Sequence, residues 1–252
     1  MARHIIQGRS ITTPVAIRDA TAYFAAYFVR ADAARAVIAY SGMDVTEPLP
    51  GKAVCALAFI RYDDTDLGAY HEFLVTFLVR PPGGGPPSGR GPLAGPRDLR
   101  RAGTAMFVHW LPVDQTFTRD AGRAIWGFPK ELADIELRLD SPYKRCILRR
   151  DRRLVLDLLI RPGLPPPAAA VKIDAYTHLD GVTRRVPWSM RPSGVRARPG
   201  GALIRLGNHP IAKELSELGL PKSAAMTASV AHLRMTVADA VEVPTRWAGG
   251  RA

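Results

Sequence analysis

The feature that most restricts this chain is a succession of short runs in which side chains alternate with period two. AVCALAFIRY (53–62), YHEFLVTFLV (70–79), TAMFVHWLPV (104–113), ADIELRL (133–139), YKRCILRR (143–150), RRLVLDLLIR (152–161), AVKIDAYTHL (170–179) and ASVAHLRMTVADAVEV (228–243) are all of this kind. Their β-branched and aromatic content marks them as strands that bury at least one face. Three stretches rich in Pro and Gly interrupt the strands: RPPGGGPPSGRGPLAGP (80–96), RPGLPPPAAA (161–170) and SMRPSGVRARPGG (189–201). Such composition disfavours regular structure, so each is expected to be a loop joining two strands. Helical patterns are few: RADAARAVIAY (30–40), FTRDAGRAIW (117–126) and NHPIAKELSELGLP (208–221). In the last, Asn208 or His209 can cap, Pro210 suits the first turn, and Ile211, Leu215 and Leu218 form an apolar stripe. Lys213 and Glu217 lie one turn apart, and Gly219 and Pro221 stop the helix. Many strands, few helices and no regular strand–helix alternation predict an α+β domain with a mostly antiparallel, barrel-like sheet. A single domain is expected over residues 1–252.

At 47% hydrophobic the chain can bury a full core. No run of 18 apolar residues occurs, so no membrane partner is expected. The N-terminal MARHIIQGRSITTPV lacks the apolar region of a secretory signal. Cys55 and Cys146 each lie in a strand-like apolar run, as buried free thiols would, and a cytoplasmic location is expected. The formal charge of +12 raises the question of nucleic acid. The arginines, however, come in ones and twos along the whole chain, on no basic helix and without aromatic interleaving. A solvated basic surface is expected, and no nucleic-acid partner.

Common catalytic signatures are missing. There is no G-x-S-x-G, no G-x-x-x-x-G-K and no G-x-G-x-x-G. The six histidines show neither H-x-H nor H-E-x-x-H spacing, so no metal site is expected. What remains is a lysine in an unusual setting. Lys130 follows Ile125-Trp126-Gly127-Phe128-Pro129, a wholly uncharged flank. An amine attacks a carbonyl only as the free base, and apolar walls favour the free base by penalising the ammonium. Read alone, the segment fits a surface lysine after a turn proline better than a buried nucleophile. Glu72 alters that balance. In YHEFLVTFLV both faces are largely apolar, with Tyr70, Glu72, Leu74, Thr76 and Leu78 on one side. A carboxylate there needs a donor or a cavity to line, and in a cavity it can move protons or orient a ligand.

Three segments carry a resemblance. AGRAIWGFPKEL resembles the G-[YF]-P-K active-site turn of the acetoacetate decarboxylase superfamily, in which the lysine forms a Schiff base. DDTDLGAYHE is similar to that family's D-T-x-x-L-G-x-Y-x-E run, whose glutamate lies in the active site. The C-terminal segment from Asn208 to Val243 matches more loosely. The resemblance implies a cone-like closed β-barrel with a few peripheral helices, holding Lys130 in its cavity. It implies catalytic roles for Lys130 and Glu72, substrate contacts from Tyr70, Trp126 and Phe128, and no cofactor beyond the covalent Schiff base on Lys130. Its partner would be a small-molecule keto acid, and the chain would form a homo-oligomer. An arginine holds the substrate carboxylate in the family, and Arg18 matches best by position. The implied reaction is lyase chemistry: decarboxylation of a β-keto acid first, aldol–dehydration of a pyruvate-derived acid second. A barrel that binds small acids without chemistry is a third reading. This sequence departs from the decarboxylase at three positions. Glu131 replaces a second lysine, Leu57 stands about where a further glutamate is found, and Phe128 replaces a tyrosine. Strand alternation predicts that Glu131 points away from the cavity.

Overall fold

A computed structural model describes residues 1–82, 105–166 and 171–243. The strands, in chain order, are β1 (Arg3–Ile6), β2 (Arg9–Thr12), β3 (Val15–Arg30), β4 (Asp44–Val45), β5 (Lys52–Thr65), β6 (Tyr70–Arg80), β7 (Ala105–Val113) and β8 (Lys130–Leu132). They continue as β9 (Asp134–Arg138), β10 (Lys144–Arg150), β11 (Arg153–Ile160), β12 (Val171–Leu179), β13 (Val182–Pro199), β14 (Ala202–Leu206), β15 (Met226–Val237) and β16 (Val241–Glu242). The helices are α1 (Ala31–Ile38), α2 (Thr116–Ala121) and α3 (Pro210–Glu217). These helices of the described residues overlap the segments with helical pattern. The His209 side chain accepts the Ile211 backbone N–H at the start of α3, one of the two caps expected there.

The main sheet closes on itself. β3, β5, β6, β7, β12, β13 and β15 pair in a ring, because β6 pairs with β5 along one edge and with β7 along the other. Its pairs are antiparallel except β7 with β12. β8 adds in parallel to β7 and so hangs at the ring's edge. A second sheet in the order β14-β11-β10-β9 packs outside. There Leu148, Leu156 and Leu158, with Leu215 of α3, share one core with Leu57, Phe59, Phe73 and Phe77 of the ring. Each such side chain contributes about 1.5–3 kcal/mol by leaving water. The opposite faces of β5 and β6 point into the ring, so both strands are covered on both sides, as their sequences imply. Cys55 and Cys146 are buried free thiols. Among the described residues no helix is long and apolar enough to cross a membrane.

Two strands of the ring depart from the sequence-based expectation. β3 is 16 residues long and was not among the expected strands, because its alanines carry little β-propensity. Its tertiary setting between β5 and β15 decides the matter. β13 runs through Pro192 to Pro199, where a loop was expected. Among the described residues the ladder of β12 with β13 runs to Met190. Beyond that point β15 pairs with β13 through Pro192 to Pro199 and holds it extended. Gly194, at φ 62°, sits against the Ala231 side chain where the pairing is interrupted. The expected loop at 80–96 lies outside the described residues from position 83 onward.

Candidate active site

Lys130 is delivered by a tightly specified turn. α2 runs into a π-helical turn at Gly122–Trp126, which Gly127 ends with φ at 69°. Only glycine adopts that left-handed conformation at little cost. The Phe128 N–H donates to the Gly122 carbonyl (3.1 Å), and the Thr177 hydroxyl donates to the Gly127 carbonyl (2.7 Å). The Lys130 stem crosses Gly122 so closely that a Cβ there would lie 2.4 Å from Lys130 Cδ.

The lysine then meets the glutamate. Lys130 Nζ lies 2.6 Å from Glu72 Oε2, with side-chain exposures of 4% and 6%. The second carboxylate oxygen accepts a bond from the Tyr62 hydroxyl at 2.9 Å. Tyr62 stacks on Tyr70 at 4.4 Å between centroids, and Lys130 Nζ sits 5.1 Å from the centre of the Tyr70 ring. Burial, reinforced by the negative charge of Glu72, pushes both phenols well above their usual range. They therefore remain protonated at any physiological pH.

These groups line one end of a cavity of about 340 Å³ inside the ring. Its wall is apolar apart from Lys130, Glu72, Tyr62, Tyr70, Thr65 and Thr76 and two indoles. Trp126 and Phe128 line it too, and the Trp126 Nε1–H donates to the Ala238 carbonyl (2.8 Å). The structure thus brings together Lys130, Glu72, Tyr70, Trp126 and Phe128. It does not bring in Arg18, which the sequence offered as the carboxylate clamp. That side chain is half exposed outside the cavity and bound to Asp64 (2.8 Å) and Asp66 (2.6 Å). The reason is alternation along β3: Val15 and Ile17 face the cavity, so Arg18 faces out. Among the described residues no arginine lines the cavity.

Two of the departures also resolve. Glu131 points away from the cavity, accepting a bond from Trp110 Nε1 (2.8 Å) and pairing with Arg150. Leu57 faces the outer core; its neighbours Ala56 and Ala58 occupy the cavity side. The residue missed in the sequence is Tyr62. The signal was present, since alternation along β5 places it with Ala58 and Ile60, directly across from Tyr70. Among the described residues no group of three or more His, Cys, Asp or Glu could hold a metal ion.

Solved structures share this fold. Acetoacetate decarboxylase from Legionella pneumophila aligns over 94% of this chain and 91% of its own, at 19% identity and a TM-score of 0.66. An acetoacetate decarboxylase-like enzyme from Sphingomonas wittichii RW1 aligns over 96% and 99%, at 14% identity and 0.55. The enduracididine biosynthesis enzyme MppR, complexed with pyruvate, aligns over 94% and 93%, at 18% identity and 0.59. No curated protein matches the sequence. The family model described as acetoacetate decarboxylase matches residues 5–243, which is nearly the whole chain. The chain belongs to the acetoacetate decarboxylase family.

Proposed function

We propose that this protein is a lyase that captures a keto acid as an iminium on Lys130. One observation carries the reading: the 2.6 Å contact of Lys130 with Glu72 inside an apolar cavity. Burying two opposite charges costs several kcal/mol of desolvation per ion, which their attraction roughly offsets, so stability alone does not account for keeping the pair. Chemistry does. Glu72 takes the ammonium proton, and the free amine adds to the ketone carbon. A proton passes from the attacking nitrogen to the alkoxide, Glu72 returns its proton to the resulting hydroxyl, which leaves as water, and the iminium remains. In a β-keto acid the bond to the carboxylate carbon then breaks. Its electron pair moves into the iminium and carbon dioxide departs. Protonation of the resulting enamine and hydrolysis release a ketone and restore Lys130. Tyr62, held protonated, keeps one carboxylate oxygen fixed while the other trades protons.

Aldol–dehydration is the second route through the same iminium, with loss of a proton in place of carbon dioxide. MppR supports keeping it, because one structure of that enzyme holds the condensation product of pyruvate and imidazole 4-carboxaldehyde. The test is carbon dioxide release from a panel of β-keto acids. The proposal expects turnover that disappears in Lys130→Arg; turnover that survives the substitution contradicts it.

A further inference from the structure

The cavity carries more information than its lysine. Alternate residues of β6 line it from Tyr70 through Glu72 and Leu74 to Thr76. Glu72 and Thr76 are four residues apart, about 13 Å along a strand. Lys130, Glu72, Tyr62, Tyr70 and Trp126 gather at one end. Beyond them the wall is Phe24, Ala56, Ala58, Met106 and Met226. Methionines adapt their shape to an apolar occupant. At the ~30 Å³ a water takes in the liquid, 340 Å³ has room for about ten non-hydrogen atoms.

The polar groups of the wall are mostly committed. Thr76 donates to the Ala56 carbonyl, Thr65 to Gly68, Trp126 to Ala238 and Tyr62 to Glu72. The Trp188 Nε1–H is different: it is buried and has no acceptor. Trp188 packs against Phe128, two residues from Lys130, at 6.1 Å between ring centroids. A buried donor without a partner is destabilising unless a ligand supplies the acceptor.

We propose that this cavity selects ketones bearing an apolar alkyl or aryl substituent, and that the Trp188 indole N–H donates to an oxygen of the bound head group. The ketone half of this inference rests on the lysine chemistry above. The chain-length half rests only on the shape and lining of the cavity. Substrates whose recognition depends on a guanidinium clamp do not fit this wall, because its only lining cation among the described residues is Lys130 itself.

Acetone, 2-octanone and acetophenone are suitable probes, with binding measured by calorimetry and adducts by borohydride reduction. The proposal expects 2-octanone and acetophenone to half-saturate at concentrations on the order of 100-fold lower than acetone. Equal adduct formation from acetone and 2-octanone would overturn the chain-length claim and leave the lysine chemistry standing. Preferential binding of 2-octanone without any adduct would do the reverse. For Trp188, the indole ¹H–¹⁵N resonance should move downfield when 2-octanone binds Lys130→Met, where no iminium forms and the ketone keeps its oxygen, and adding Trp188→Phe should weaken that binding about tenfold. An unmoved resonance overturns the donor role even where the variant fails to fold.

Discussion

Lys130 rests on a residue with no side chain, and that contact determines where its amine can go. Gly122→Ala would drive a methyl group into Lys130 Cδ and Cε. The stem must then swing away, lengthening the 2.6 Å approach to Glu72. We expect Gly122→Ala to remain folded by circular dichroism while kcat falls at least tenfold, since small misplacements of reacting groups carry large rate costs. Glu72→Gln keeps the shape and removes the proton acceptor. A loss of about 10²–10⁴ in kcat, the usual range for one general acid–base group, is expected in steady-state assays. Tyr62→Phe removes one bond to that carboxylate without removing the acceptor. It should cost less than Glu72→Gln, and an equal or larger loss would show that Tyr62, and not Glu72, handles the proton. At this scale the sequence was legible where chemistry leaves a composition trace, as at the uncharged flank of Lys130 and the carboxylate in an apolar strand. It was not legible for Gly122, whose role is an absence of atoms that only packing reveals. Nor was it for Arg18, which similarity of position placed one residue from the correct face.

Alternation governs what each strand offers the cavity. β6 and β5 were readable because their side chains split cleanly: Phe73, Val75 and Phe77 outward, Tyr70, Glu72 and Thr76 inward. β3 was not, because alanines on both faces erase the contrast that a period-two pattern needs. β13 was hidden by Pro192 and Gly194, residues that usually end strands. Here β15 pairs with the strand across the proline, and the glycine sits where that ladder is interrupted. This gives Gly194 a testable role in the element. Its φ is 62°, and a Cβ added there would lie 2.7 Å from the Ala231 Cβ, which leaves no room for a side chain. Gly194→Ala should destabilise the fold by about 1–3 kcal/mol, measured by urea unfolding. A change below ~0.5 kcal/mol would mean that β13 bends freely at this point.

The ring and the outer sheet together bury a set of weak acids. The Cys55 thiol is pushed up from 9.0 to about 12, first by burial. Cys146, Tyr27, Tyr62 and Tyr70 are raised in the same direction, each chiefly by burial. A raised acid keeps its proton in the folded chain after the unfolded chain has lost it. The stability linked to Cys55 is therefore fully present below pH 9 and is lost between pH 9 and about 12. We expect urea midpoints to fall steeply above pH 9, and Cys55→Ala to flatten that fall by up to ~1.4 kcal/mol per pH unit. For the molecule as a whole, the proposed chemistry requires the closed ring to keep one amine dry beside one carboxylate. Borohydride reduction in the presence of keto acids, followed by peptide mass mapping, tests this most directly. The account predicts an irreversible adduct on Lys130 that is absent without keto acid and absent in Glu72→Gln at short times. An enzyme that turns over keto acids with no adduct at Lys130, or with label spread over surface lysines, would contradict it.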